Sequence, residues 1–205
     1  MASLHRDSIL AKVPGPYPDA SSANTNALYC RTVIRHSIPA HKINTMEEIS
    51  EITTEILTQI KEWEYKLASL PNKTITELWN SQNRTIKQIL GHLIDSVSNN
   101  THRVVHLQYQ QCPFSFPNYA TFGNNDRWIA IQNYQNEDWH NMIQLWKYSL
   151  LHFCHVINNI QEDKLENEWI AGPDKNISLR TMIVDFPRHL KLHLAEINDL
   201  IKSKP

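Results

Sequence analysis

The hydrophobic residues of this chain recur in four long segments at steps of three and four, which is the period of an amphipathic α-helix. The first predicted helix begins with a capping box made by Thr45 and Glu48, and Pro71 ends it. Between these points runs one apolar stripe: Ile49, Ile52, Ile56, Ile60, Trp63, Leu67 and Leu70.

The second predicted helix begins near Thr85 and runs to about Gln108. Thr85 and Gln88 form a second capping box, in which the hydroxyl and the amide each bond the main chain of the other residue. The apolar stripe that follows is Ile86, Ile89, Leu90, Leu93, Val97 and Val104.

Two further amphipathic segments complete the pattern. The third predicted helix opens near Asn136, with Glu137 and Asp138 at its positive end. The last helix follows a loop through residues 172–174, and Ser178 is its predicted N-cap. Pro187 lies inside this helix and predicts a kink directly before His189.

The segment between the second and third predicted helices is unusually long. Residues 110–136 contain two prolines and a turn-rich Asn-Asn-Asp run, but they also carry the aromatic residues Phe114, Phe116, Tyr119, Phe122 and Trp128. We therefore expect this segment to pack over one end of the protein rather than to extend into solvent. The predicted fold is all-α, a four-helix bundle with one long crossover between helices two and three.

Residues 1–45 show no sustained period and contain four prolines and a polar run. We interpret them as a poorly ordered N-terminal extension, and residues 46–205 as the bundle domain. A weak organelle-targeting function is one alternative for the extension, and translation from Met46 is another.

Composition narrows the class of protein. The formal net charge of −1 gives no electrostatic case for nucleic acid or anionic lipid. No segment approaches the roughly 18 apolar residues of a membrane span. Three widely spaced cysteines argue against a disulfide framework and fit a reducing compartment, so we expect a cytoplasmic protein. Four glycines cannot assemble a phosphate-binding loop.

Histidines on apolar stripes are the main candidates for chemistry. His189 and His193 lie one turn apart on or beside the stripe of the last helix. His92 borders the stripe of the second helix. His102 and His106 share the same four-residue spacing but lie on the polar side of their helix, so we expect them to face solvent. His152 and His155 are predicted to be packing or surface residues.

Three imidazoles on two helices suit a divalent metal ion, because burial favours the neutral ring that binds metals. Three protein ligands leave one coordination position open, as in catalytic zinc sites. Zinc or nickel are the expected metals, and imidazole also suits iron, while manganese remains a further candidate.

Asp95, Asp185 and Glu196 each lie about one turn from a histidine. Asp95 and Glu196 are candidates for orienting a ligand or transferring a proton, and each also has the plainer interpretation of a solvated carboxylate.

Three motifs resemble the DinB-like (YfiT-like) family. They are TIKQILGHLIDS at residues 85–96, DRW at residues 126–128 with Tyr134 and Trp139 after it, and HLKLHLAEI at residues 189–197. The resemblance spans about residues 46–202 and implies a four-helix bundle, often dimeric, with one metal bound by His92, His189 and His193. Relatives include transferases and isomerases that use low-molecular-weight thiols, and many members are classed only as presumed hydrolases. Pro187 departs from the uninterrupted last helix that the family pattern calls for.

The leading hypothesis is therefore a metal-dependent hydrolase or thiol-dependent transferase that acts on a small-molecule substrate, or on a low-molecular-weight thiol, and forms a homodimer. A second hypothesis is a non-enzymatic metal-binding or stress-response bundle, with Glu196 completing a closed coordination sphere. A third is an interaction module in which the histidines are simply hydrogen-bonded core residues. The residues alone do not choose between hydrolysis and thiol transfer.

Overall fold

The computed structural model describes residues 45–203, with the side chain of Thr45 left out. Residues 1–44 of the proposed extension and the Thr45 side chain of the predicted capping box therefore lie outside the described part of the chain. Four long helices form the bundle: α1 (Thr45–Ala68), α3 (Ile86–Leu107), α5 (Trp139–Ile157) and α6 (Leu179–Lys202). Two short helices, α2 (Asn72–Glu77) and α4 (Asn124–Ile131), lie in segments predicted as connections.

The bundle places α1 and α3 on one pair of opposite corners, and α5 and α6 on the other. α1 packs against α5 and α6, and α3 packs against the same two helices. The core is built from the predicted stripes: six of the seven stripe residues of α1 are buried, and Leu70 packs against the core from its edge. The large side chains of Trp146 and Phe153 on α5 are fully buried at the centre.

The helix starts follow the capping signals closely. The Thr85 side chain accepts a hydrogen bond from the Gln88 main chain, and the Gln88 side chain accepts one from the Thr85 N–H, which confirms this capping box. Ser178 caps α6, as predicted. Asp138 caps α5, which therefore begins at Trp139, later than the predicted start near Asn136. Asn136 instead ends a short 3-10 helix, Tyr134–Asn136.

The all-α prediction is wrong in one respect, because a small sheet accompanies the bundle. Its strands are β1 (Phe114–Ser115), β2 (Glu168–Gly172) and β3 (Lys175–Ser178), in the order β1-β2-β3. β1 pairs with β2 in parallel, and β2 pairs with β3 as an antiparallel hairpin. The two residues between β2 and β3 are a proline and Asp174, whose φ of 53° suits a tight hairpin turn. What the sequence pattern predicted as a loop is therefore a hairpin that leads directly into α6.

The long crossover contains β1, α4 and the 3-10 helix, and its two helical parts pack onto α3. Tyr119, Ile129 and Tyr134 are buried, whereas Phe122 is exposed. α6 continues as one helix through the buried Pro187. Among the described residues, no helix is both long and apolar enough to span a membrane.

Candidate metal centre

α3 and α6 bring the three predicted histidines together at their interface. One nitrogen from each of His92, His189 and His193 lies within 4.8 Å of the others. The ring centroids of His92 and His193 are 4.6 Å apart, as are those of His189 and His193. His92 and His193 are buried, and His189 is partly buried. The cluster thus lies within the bundle rather than on its surface.

The local sequence explains this placement. His189 and His193 are one helical turn apart, so their rings leave the same side of α6. Their Nε2 atoms are 3.2 Å apart. His92 lies on the buried side of α3, between residues that are themselves in the core. Packing of α3 against α6 is then sufficient to join the two sets of rings.

Each ring has a partner at its Nδ1 atom. The Tyr119 hydroxyl lies 2.9 Å from Nδ1 of His92, and Oε2 of Glu196 lies 3.1 Å from Nδ1 of His193. The Ser96 hydroxyl lies 3.4 Å from Nδ1 of His189. When Nδ1 of a histidine is the donor in such a bond, its Nε2 carries a lone pair. The three Nε2 atoms are therefore the ones that these contacts leave available.

Burial favours the neutral form of two of these rings. Burial, together with the charges of His193 and His189, lowers the pKa of His92 to about 2. Burial also lowers the pKa of His189 to about 4, with the charge of His193 as the next cause. Both imidazoles are therefore uncharged near neutral pH, which is the state that binds a metal ion.

Glu196 is held as an ionised acceptor behind His193. Burial alone would raise the pKa of Glu196, but the hydrogen bond and charge of His193 outweigh it, and the pKa lies below its usual value. The Arg84 charge and a hydrogen bond from Asn80 act in the same direction. Arg84 is itself buried and pairs with Asp126 at 2.6 Å. This set of contacts fixes the carboxylate on the Nδ1 side of the His193 ring.

Asp95 lies apart from the three rings. Its Oδ1 accepts hydrogen bonds from the Tyr134 hydroxyl at 2.7 Å and from the Gln132 amide at 2.5 Å. The group that bonds Nδ1 of His92 is Tyr119, not Asp95. Asp185 forms an ion pair with Arg188 on the exposed side of α6.

The other histidine pairs lie outside this cluster, and the expectation that both His102 and His106 face solvent is wrong for His106, whose ring stacks on Phe114. His102 is exposed and His106 is half-buried, with Nδ1 of His106 bonded to the Tyr109 hydroxyl. His152 and His155 are both exposed. Among the described residues, the group that offers three close ligand atoms consists of His92, His189 and His193 alone.

Sequence reasoning named Glu196 as a candidate but missed the other residues that support the rings. Tyr119 belongs to the crossover, 27 positions after His92, and Asn80 lies 116 positions before Glu196. No spacing rule joins such distant positions. The surplus of aromatic residues in the crossover was the signal that part of it is buried, but it did not indicate which ring reaches the histidines.

The donor set fits a divalent metal ion. Two nitrogens bound to one tetrahedral zinc ion lie about 3.3 Å apart, since each Zn–N bond is about 2.0–2.1 Å long. The 3.2 Å separation of the His189 and His193 Nε2 atoms is close to that value. Two unprotonated nitrogens facing each other repel unless a cation or a proton lies between them. The chemistry of the three residues is therefore suited to a metal.

Comparison with known proteins shows the fold. No family model matches the chain, and no curated protein matches it. A solved structure that it resembles is YfiT from Bacillus subtilis, described as a probable metal-dependent hydrolase with an unusual four-helix bundle topology. The TM-score is 0.60 at 14% sequence identity, over 82% of this chain and 94% of that one. At this identity the likeness establishes that the chain has a YfiT-like bundle fold.

Proposed function

We propose that this protein is a metal-dependent hydrolase that acts on a small-molecule substrate, with His92, His189 and His193 as the metal ligands. The observation that carries the proposal is the convergence of three imidazoles whose Nδ1 atoms are all engaged. The description of YfiT as a probable metal-dependent hydrolase supports the choice of reaction class.

The supporting residues have positioning roles in this proposal. Glu196 fixes the His193 ring through Nδ1 and increases the basicity of its Nε2. The Tyr119 hydroxyl does the same for His92, because it can accept from Nδ1 while donating to the His92 carbonyl oxygen at 3.4 Å. A divalent metal bound by these nitrogens would supply Lewis acidity, which polarises an acyl oxygen and makes a water molecule more acidic.

The position of Glu196 favours an open site over a closed one. Oε2 of Glu196 bonds Nδ1 of His193, on the far side of the ring from Nε2. A carboxylate in that position orients a ligand and does not itself complete the coordination sphere. Three protein ligands then leave a position for water or substrate, which is the arrangement of catalytic metal sites.

Hydrolysis is tested with ester and amide substrates, using protein loaded with zinc, nickel, iron or manganese. We expect turnover by the parent with one of these metals, and none by the His189→Ala/His193→Ala variant. The His152→Ala/His155→Ala variant is the matched control, since it also loses two histidines from one helix but both are exposed. Equal turnover by the two double variants would refute the site.

The same screen distinguishes thiol transfer from hydrolysis. Each metal-loaded sample is assayed with and without a low-molecular-weight thiol. Hydrolysis proceeds without the thiol, whereas a transferase consumes thiol in step with the substrate. Strict dependence on the thiol would replace hydrolysis by transfer and leave the metal assignment intact.

A further inference from the structure

Arg103 on α3 is a buried arginine without an acidic partner. It is 8% exposed, and its Nη1 donates to Oδ1 of Asn100 at 3.0 Å. Among the described residues, no aspartate or glutamate forms an ion pair with it. Burial lowers the pKa of Arg103 to about 10, so the guanidinium remains charged at neutral pH. Arginine is rarely buried in this way, because desolvation of an unpaired charge is costly.

The contacts of Arg103 leave one edge of its guanidinium available to a ligand. Its Cζ lies 4.2 Å from the centroid of the Trp169 ring, which covers one face of the group and holds it in place. Asn100 engages Nη1, whereas Nε and Nη2 have no partner among the described residues. The buried side-chain atoms that lack both a partner and contact with solvent are Oδ2 of Asp95 and two indole nitrogens. Nε and Nη2 of Arg103 are not among them, so solvent reaches these two nitrogens.

This edge has the shape of a carboxylate-binding site. Nε and Nη2 present two parallel N–H donors, and a carboxylate accepts both at once through its two oxygens. The Phe116 ring lies edge-on to Trp169, with 6.2 Å between the ring centroids, and is itself partly exposed. Apolar surface therefore adjoins the charged edge, which suits an organic acid.

Arg103 lies on the side of α3 that carries His92. The two residues are 11 positions apart, which is three helical turns to within about 20°. The bond to Asn100 draws the guanidinium back toward Ser96, whose hydroxyl lies 3.4 Å from Nδ1 of His189. Asn100 itself is about 12 Å along the helix axis from His92. The charged edge and the three histidines are therefore within reach of one small organic molecule.

We propose that Arg103 binds a carboxylate of the substrate, so that the proposed hydrolase acts on esters or amides that carry a carboxylate about 10 Å from the bond that is cleaved. This inference rests on the proposed function, because it assigns the anion to the molecule that is hydrolysed. The binding of the carboxylate itself needs no metal, so it can be measured apart from turnover.

The identity of residue 100 supports a role in binding. An aspartate there would have nearly the same shape as Asn100 and would neutralise Arg103 with a charge-assisted hydrogen bond. Asparagine leaves the buried charge uncompensated, and local rules of this kind are broken chiefly at functional sites. Asn100→Asp should therefore raise the midpoint of thermal unfolding and weaken carboxylate binding by about tenfold or more.

Calorimetric titration of the metal-free full chain with 3-phenylpropionate and 3-phenylpropionamide at about pH 7 tests the binding, since only the acid is ionised there. We expect the carboxylate to bind about tenfold or more tightly than the amide, and Arg103→Gln and Asn100→Asp each to remove that preference. Lys61→Gln is the control, because it removes one positive charge from an exposed position on α1, the corner opposite α3, and should bind as the parent does.

Three binding results would overturn the proposal. They are equal binding of the acid and the amide, unchanged carboxylate binding by Asn100→Asp, and tighter binding of inorganic phosphate than of the carboxylate. Asn100→Asp keeps the test decisive if Arg103→Gln fails to fold, because it retains every atom position around Arg103.

Turnover by metal-loaded protein separates this inference from the proposed function. For a carboxylate-bearing ester, Arg103→Gln should raise KM about tenfold or more and leave kcat unchanged. Equal kcat/KM for that ester and its neutral amide-capped analogue would overturn the inference and leave the hydrolase intact. Carboxylate binding that depends on Arg103, without turnover of any ester or amide, would refute the hydrolase and leave the carboxylate site intact.

Discussion

Replacement of Gly91 by alanine tests how α3 is packed against the crossover beside the histidine cluster. Gly91 is buried one residue before His92, and the Tyr134 ring lies directly over it. A Cβ atom at Gly91 would lie 2.5 Å from Cγ of Tyr134 and 2.8 Å from Cε2. Carbon atoms in contact are normally about 3.5–4.0 Å apart, so the ring must move by about 1 Å.

The expected cost follows from three contributions. Overpacking of a core costs about 1–3 kcal/mol. Displacement of Tyr134 also weakens its hydrogen bond to Asp95, and a bond to a charged group contributes about 1.5–3 kcal/mol. Alanine is the better helix former by about 1 kcal/mol. The net effect of Gly91→Ala is a loss of about 2–4 kcal/mol in the free energy of unfolding.

Urea unfolding of the single variants and of the Gly91/Tyr134 double variants measures this effect and its cause. In a Tyr134→Ala background the clash is absent, and Gly91→Ala should become stabilising by about 0.5–1 kcal/mol. In a Tyr134→Phe background the clash remains without the hydrogen bond, so Gly91→Ala should still destabilise. Gly172→Ala is the control, because apart from its own and its chain neighbours' atoms no atom of the described residues lies within 4 Å of its Cβ position. A Gly91→Ala variant as stable as the parent would refute the packing described here.

Three further predictions concern pH, ligand support and metal. Burial raises the pKa of Asp95 to about 6 in the folded state, so the stability that its protonated carboxyl contributes is full below the unfolded pKa and is lost as pH rises through 6. The free energy of unfolding of Asp95→Asn should therefore exceed that of the parent by up to about 3 kcal/mol at pH 8 but not at pH 4, and equal pH profiles of the two proteins would contradict this. Glu196→Gln and Tyr119→Phe should each weaken metal affinity about 10- to 100-fold in a chelator competition titration, because each removes the group that orients His193 or His92, and unchanged affinity would exclude that role. Metal at about 100 times its Kd should raise the free energy of unfolding of the parent by about 2.7 kcal/mol. In thermal melts a chelator should reverse this stabilisation in the parent and should have no effect on the His189→Ala/His193→Ala variant.

Helical periodicity predicted most of the bundle because each long helix buries one continuous stripe. Capping residues Thr85 and Ser178 marked helix starts well, since a cap is a local interaction between residues close in sequence. The start of α5 was predicted too early, because three polar residues in a row all suit a helix N-terminus, and Asp138 is the one whose side chain accepts from the Asn141 main chain in the first turn.

The small sheet escaped prediction for a different reason. β1 has two residues and pairs with β2 across more than 50 positions, so it has no periodicity of its own. The β2–β3 hairpin has strands of five and four residues, which is near the limit at which alternation can be recognised. The turn at Asp174 was visible as a break in the helical pattern but not as the tip of a hairpin.

The candidate site, like the fold, has parts that the sequence predicted and parts that it did not. His189 and His193 share a helix, and their common side follows from helical geometry alone. The nearness of His92 depends on the packing of α3 against α6, which the family resemblance indicated and periodicity could not. Tyr119 and Asn80 reach the site from distant segments, so their roles became visible only in three dimensions.

The central claim is that the three clustered histidines bind one metal ion. Elemental analysis of the purified parent, the His189→Ala/His193→Ala variant and the His152→Ala/His155→Ala control measures this most directly. The account predicts about one divalent metal per chain in the parent and the control, and none in the α6 variant. No metal in the parent after incubation with zinc and with nickel, or equal metal in all three proteins, would contradict it.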